Sequence, residues 1–168
     1  TIGGTAVKYN NLTVSNTLSD LDGISGAMTY QWNRITSSVS TPISGATSST
    51  YTVTQTDVGS TITITASYND DRGTAESVTS APTATVTNVN DSPTGNVTIS
   101  GTVEQGQTLT AANNLVDPDG ISGAINYQWN RVTSSVSTTI SGATSSTYTL
   151  AQADVGSTIT VTASYTDD

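Results

Sequence analysis

"STITITASY", residues 60–68, sets Ile62, Ile64, Ala66 and Tyr68 against Thr61, Thr63, Thr65 and Ser67. That strict alternation is the period of a β-strand with one face in a core and the other toward solvent. The stretch recurs as "STITVTASY" at 157–165. Sliding the chain by 97 positions extends the match: of the 50 positions from Asp22 to Asp71 set against Asp119 to Asp168, 41 are identical. Upstream the likeness thins but persists, with Leu12, Leu18 and Asp20 answered by Leu109, Leu115 and Asp117. A repeat of this kind encodes one supersecondary plan per copy.

Within a copy the pattern is β throughout. Strand signals also occur at "NLTV" (11–14), "AMTYQW" (27–32), "TYTV" (50–53) and "TAESVTSAPTATV" (74–86), the last carrying Pro82, which suits an edge or kinked strand. The exception is "TQTDVG" (54–59), a short 3₁₀ turn with Thr54 placed to cap it and Gly59 to close it. Roughly seven short strands per copy predict an all-β fold of tandem β-sandwiches. Residues 1–90 read as the first domain, 88–97 as a linker and the start of the next repeat, and 98–168 as the second domain. The second copy has no counterpart of residues 72–97, so it is expected to lack its last strand because the chain was cut. Its edge at "STITVTASY" would then be open to a strand from a neighbouring molecule.

Composition limits the chemistry. Thirteen acids against four bases give a formal charge of −9, which opposes binding to nucleic acid or to anionic membranes. With no His and no Cys, thiol catalysis, a Ser-His relay and soft metal sites are excluded. A metal would have to be held by oxygen, which points to calcium or magnesium. No apolar run is long enough to span a bilayer. The hydrophobic fraction is only 33%, with no Phe and no disulfides, so each core must be thin.

The order of cues resembles an immunoglobulin-type sandwich: "YQW" on an early central strand, "DVG" just before a long alternating strand, then "DDRGT" and a final strand. More specifically, "ISGAT", "STYTL", "ADVG", "ITVTASYTD" and "GTAESVTS", joined by "NVND-P", resemble the tandem Ig-like or cadherin-like extender repeats of giant bacterial surface adhesins secreted by type I systems. The resemblance implies immunoglobulin-like domains of about seven strands, an extracellular place on the bacterial cell surface, neighbouring repeats of the same chain as partners, and a structural role in a stalk.

On such a topology the loop between the second and third strands and the loop between the last two lie at one end, where the chain enters the domain. In copy two this would gather Asp117 and Asp119 of "DPDG", Asp167 and Asp168, and the incoming Asn88, Asn90 and Asp91 of "NVNDSP". Carboxylates so placed would repel by about 1 kcal/mol or more per close pair, and a calcium ion would turn that repulsion into coordination. Asp20, Asp22, Asp70 and Asp71 are the copy-one equivalents, facing a preceding linker. The competing reading of "DLDG" and "DPDG" is a turn in which Asp caps its own backbone and Gly takes a positive φ. An EF-hand does not fit, because the fifth and twelfth positions counted from Asp20 are Ile24 and Gln31.

Three roles follow. An enzyme would have only carboxylates to work with, duplicated in both copies where a hydrolase needs one unique cleft. A ligand-binding adhesin module could touch glycan or ice through Ser- and Thr-rich loops such as "ITSSVSTPISGATSST". The reading that accounts for repetition and acidity together is a calcium-stiffened extender. Trp32 and Trp129 are expected in the core, Arg34 and Arg131 are expected to snorkel at a strand end, and the Thr rows are expected to face solvent.

Overall fold

The computed structural model describes residues 1–167, so Asp168 lies outside the described residues. The chain forms two compact units, Thr1–Asn90 and Asp91–Asp168. In the first, the alternating stretch is strand β6 (Thr61–Asn69), preceded by β1 (Ile2–Gly3), β2 (Asn11–Val14), β3 (Ser25–Thr36), β4 (Val39–Pro42) and β5 (Thr50–Thr52) and followed by β7 (Ala75–Thr79). These make a three-stranded sheet, β1-β2-β5, and a four-stranded sheet, β4-β3-β6-β7, antiparallel throughout. In the second unit β8 (Val97–Ser100), β9 (Thr108–Asn113), β10 (Ser122–Thr133), β11 (Val136–Thr139), β12 (Thr147–Thr149) and β13 (Thr158–Thr166) repeat the plan as β8-β9-β12 and β11-β10-β13. The fold is all-β, in β-sandwich units of seven and, among the described residues, six strands.

The two sheets of each unit close over a tryptophan. Trp32 is fully buried among Leu12, Val53, Ile62, Ile64 and Val86, so side chains from both sheets share one core. Trp129 sits likewise among Leu109, Ala111 and Leu150. Each indole stays satisfied, its Nε1 donating to the Ser48 or Ser145 carbonyl at 2.9 Å. Both tryptophans are core, as the strand pattern requires. Thr63 departs from its expected place: it is 3% exposed, whereas its counterpart Thr160 faces solvent.

Strand β3 runs from Ser25 to Thr36, past the expected 27–32, and two further departures from the sequence reading stand out. The segment 74–86 is regular only to Thr79, because the next backbone donors of β6 leave the carbonyl ladder: the Ile64 N–H donates to Ser80 Oγ and the Ile62 N–H to Thr83 Oγ1. Pro82, with no N–H of its own, falls within this stretch. Inside "ITSSVSTPISGATSST" a strand, β4, pairs back on β3 through a two-residue turn, Thr36 opposite Val39. Ser37 and Ser38 both take positive φ, 49° and 66°, the geometry of a type I′ turn that prefers Asn-Gly. Replacing Ser37-Ser38 with Asn-Gly is therefore expected to stabilise the first unit by about 1 kcal/mol, read as a higher urea midpoint. An unchanged or lower midpoint would show that the serines carry no strain. Among the described residues no helix is long and apolar enough to cross a membrane.

Candidate functional site

In the first unit the two acid-bearing loops do meet. "DLDG" forms an Asx turn: Asp20 Oδ1 accepts the Asp22 N–H at 2.9 Å and the Asp20 carbonyl accepts the Gly23 N–H. The loop after β6 closes onto it through the Asp71 N–H to Asp22 carbonyl bond, 3.3 Å, and through Tyr68, whose hydroxyl donates to Asp20 Oδ2 at 3.1 Å. Gly23 has φ +86° and lies against the Asp71 carboxylate, so any side chain there would displace that acid. Asp70 is buried and caps its own loop, accepting the Arg72 and Thr74 N–H groups at 3.0 and 2.6 Å. The Thr74 bond leads in holding the Asp70 carboxyl below the ordinary carboxylate range. Arg72 pairs with Asp22 at 3.0 Å, so part of the loop's negative charge is met by its own guanidinium.

In the second unit the chain's lead-in folds onto "DPDG". Thr94 and Val116 exchange backbone hydrogen bonds as an antiparallel bridge, and the Asn96 N–H donates to Asn114 Oδ1 at 2.7 Å. The Asp91 N–H reaches Asp119 Oδ2 at 2.5 Å, and the Asp119 N–H caps back to Asp117 Oδ1 at 2.9 Å. Asp117 and Asp119 are 9% and 7% exposed, although their copy-one equivalents Asp20 and Asp22 are half-buried and exposed. The Tyr165 hydroxyl donates to Asp117 Oδ2 at 2.5 Å. That bond, the burial of the phenol and the charges on Asp117 and Asp167 push Tyr165 up to about 12.

The amides of the linker are placed differently. Asn88 Oδ1 accepts from Lys8 Nζ at 3.3 Å, and the Val89 carbonyl accepts from the same ammonium at 3.1 Å. Lys8 is 1% exposed, so the first unit carries a buried cation of its own beside the linker oxygens. Asn90 ends the first unit and Asp167 is half-buried beyond β13. Among the described residues no group of three or more acidic side chains is placed to hold a metal ion. The carboxylate oxygens that cap turns still have lone pairs to offer, so their hydrogen bonds do not bar coordination.

The most highly organised acid is one that strand periodicity passed over. Asp57, at the end of the 3₁₀ turn Gln55–Asp57, is fully buried. Its two oxygens accept from Tyr51 Oη (2.6 Å), Thr54 N (2.8 Å), Thr54 Oγ1 (2.9 Å) and Arg34 Nε (2.8 Å), with Arg34 Nη2 at 2.6 Å. Asp154 repeats the arrangement with Tyr148, Ala151 N and Arg131. Arg34 and Arg131 thus do not merely snorkel: they cross to the "DVG" carboxylate, because a buried acid needs a charged, bidentate donor. The turn keeps its form with Ala151 in place of Thr54, since the cap comes from the aspartate and not from the residue at the turn's start. Burial alone would raise the Asp57 carboxyl, but the bonds from Tyr51, Thr54 and Arg34 overcome this and hold it below the usual range. The signal lay in the sequence as a Tyr six residues and an Arg 23 residues before each "DVG" aspartate, twice over.

These constellations are structural in their chemistry: acceptor oxygens met by donors, with no paired nucleophile and base among them. No protein-family model matches the chain, and no curated protein matches it at a significant level.

Proposed function

We propose that this chain is a segment of an extracellular stalk, an extender of a large bacterial surface adhesin, in which calcium at the acid-bearing loops stiffens the passage from one unit to the next. The observation that carries the proposal is the pinned lead-in: of residues 91–96, Asp91 bonds to Asp119 of "DPDG" and Thr94 and Asn96 bond to Val116 and Asn114 just before it, where a passive spacer would be solvated and free. Repetition supports it, because two near-identical units offer no unique cleft for a substrate and suit a role in which length matters. The acids support the choice of ion. Asp117 and Asp119 with Asp167 in the second unit, and Asp20, Asp22, Asp70 and Asp71 in the first, are oxygen donors from adjoining loops, the donor type calcium takes. In the first unit Arg72 already meets part of the loop's charge at Asp22, so the second unit's loop is the preferred place for the ion.

The test is thermal unfolding of the 168-residue chain in chelator and in about 2 mM calcium, beside small-angle scattering. For an extracellular module of roughly 0.1–1 mM affinity, binding to the native state adds about 1–2 kcal/mol, or several degrees, to the unit that binds. The maximum dimension should grow as well. The Asp117→Asn, Asp119→Asn double variant should lose the calcium response. A parent chain indifferent to calcium in both measurements would remove the ion from the proposal.

A further inference from the structure

In the first unit a stretch before β2 and a stretch after β7 run side by side in the same direction. The Thr87 N–H donates to the Ala6 carbonyl and the Lys8 N–H to the Thr87 carbonyl, both at 3.0 Å, a parallel bridge centred on Val7 and Thr87. The Lys8 ammonium continues the row, donating to Asn88 Oδ1 at 3.3 Å and to the Val89 carbonyl at 3.1 Å. Both stretches are anchored on their far sides. Ala6 and Val86 are buried in the core, Val86 exchanges backbone bonds with Gly59 and Ser60, and the Tyr9 N–H and Asn10 carbonyl bond to Val53.

Lys8 and Tyr9 depart from the repeat, which has Gln105 and Gly106 in their places. Gly106 takes φ +84° at little cost, whereas Tyr9 holds φ +71°, a conformation unfavourable for a bulky residue. What the tyrosine gains is a place beside the ammonium: Lys8 Nζ lies 5.0 Å from its ring centroid, within cation–π range. At 1% exposure Lys8 is a buried cation, held among a ring and the oxygens of the departing chain.

The direction of the two stretches decides what this contact does under load. Tension on the first unit draws the residues before 6 one way and the residues after 89 the other. Parallel neighbours pulled so must slide past each other, and the bonds between them are loaded together. Neighbours pulled apart from one end separate one bond at a time. Apart from the two-residue β1, every strand of the first unit lies between the two stretches along the chain, so this contact gives way before the load reaches them.

We propose that the contact of residues 6–8 with 86–89 is a tension latch, and that the Lys8 ammonium sets its strength. The proposal rests on the stalk reading for the source of the tension and adds to it the residue that carries the load. It does not involve calcium.

The chain has no cysteine, so handles for single-molecule pulling can be attached at introduced ones. Thr5→Cys with Ser92→Cys stretches the first unit in the sliding direction, and Asn10→Cys with Ser92→Cys opens the same bonds from one end; all three positions are exposed. In chelator, the unit should resist more force through the first pair than through the second. Lys8→Met keeps the stem and removes the donors. It should unfold roughly 10- to 100-fold faster at a given force on the first pair, the worth of one or two charge-assisted bonds broken together, and change little on the second. Equal resistance through the two pairs would overturn the latch. A Lys8→Met variant that unfolds faster by the same factor in both directions would do so too, being the mark of a residue that merely stabilises the unit, and one that matches the parent in both would remove Lys8 from the proposal. The comparison of directions needs no change at Lys8, so it decides the latch even where that substitution abolishes folding. Because calcium is absent throughout, a missing calcium response leaves these results standing, and a missing latch leaves the calcium response untouched.

Discussion

Replacing Asp57 with asparagine is expected to lower the unfolding temperature of the first unit by on the order of 10–20 °C, the consequence of losing about 3 kcal/mol or more from a buried charge pair stripped of one partner. The size follows from the donor count. Tyr51 Oη, Thr54 N, Thr54 Oγ1 and two Arg34 nitrogens all point at two carboxylate oxygens. Asparagine offers one oxygen and an amide that is itself a donor, so some of these groups face another N–H in a site without solvent. The same aspartate sets a pH dependence. Its folded pKa is depressed, so its contribution is complete above the ordinary carboxylate value near ~4 and is lost as the pH falls through the lower folded value, where the unfolded chain has taken up the proton first. Thermal unfolding from pH 7 to pH 3 should show the parent losing stability in that lower window and the Asp57→Asn variant losing less. Parallel curves would mean that the carboxylate is not charged in the native unit.

The second large effect concerns the tryptophans. Trp129→Ala removes the largest side chain of a core whose other fully enclosed residues are Leu109, Ala111 and Leu150, and it strands the Ser145 carbonyl that the indole bonds. A buried Trp→Ala change costs about 3–5 kcal/mol, and units this small without disulfides have little more than that in reserve. The second unit should therefore be unfolded at 25 °C while, in chelator, the first keeps its own transition. Trp32→Ala should weaken the first unit by a similar amount but leave it partly folded, because Val53, Ile62, Ile64 and Val86 remain enclosed there. Calorimetry resolves the two outcomes. A single transition lost in both variants would mean that the units fold as one.

Much of this was legible in the residues. The alternation of 60–68 and its copy announces β6 and β13, the repeat announces two units of one plan, and the strand pattern puts Trp32 and Trp129 in the cores. The turn at 54–59 was placed, and the meeting of the loops after β2 and β6 followed from the order of strands. Strand β4 was hidden because Ser and Thr dominate it and all four of its residues are exposed, leaving no alternation to read. The partnership of Arg34 with Asp57 was hidden because it spans 23 residues and depends on how a strand end and a turn are set in space.

The residues alone therefore fix the local and the repeated: strand periods, turn chemistry, the tryptophan at each core and the absence of His and Cys. Which acids are spent on structure and which strand faces are covered is set by how distant segments meet in space. The near-identical β6 and β13 make the reason plain. A strand's period is written in its own residues, but its burial depends on whether a segment such as 75–87, distant along the chain, lies against it, and no local pattern carries that information.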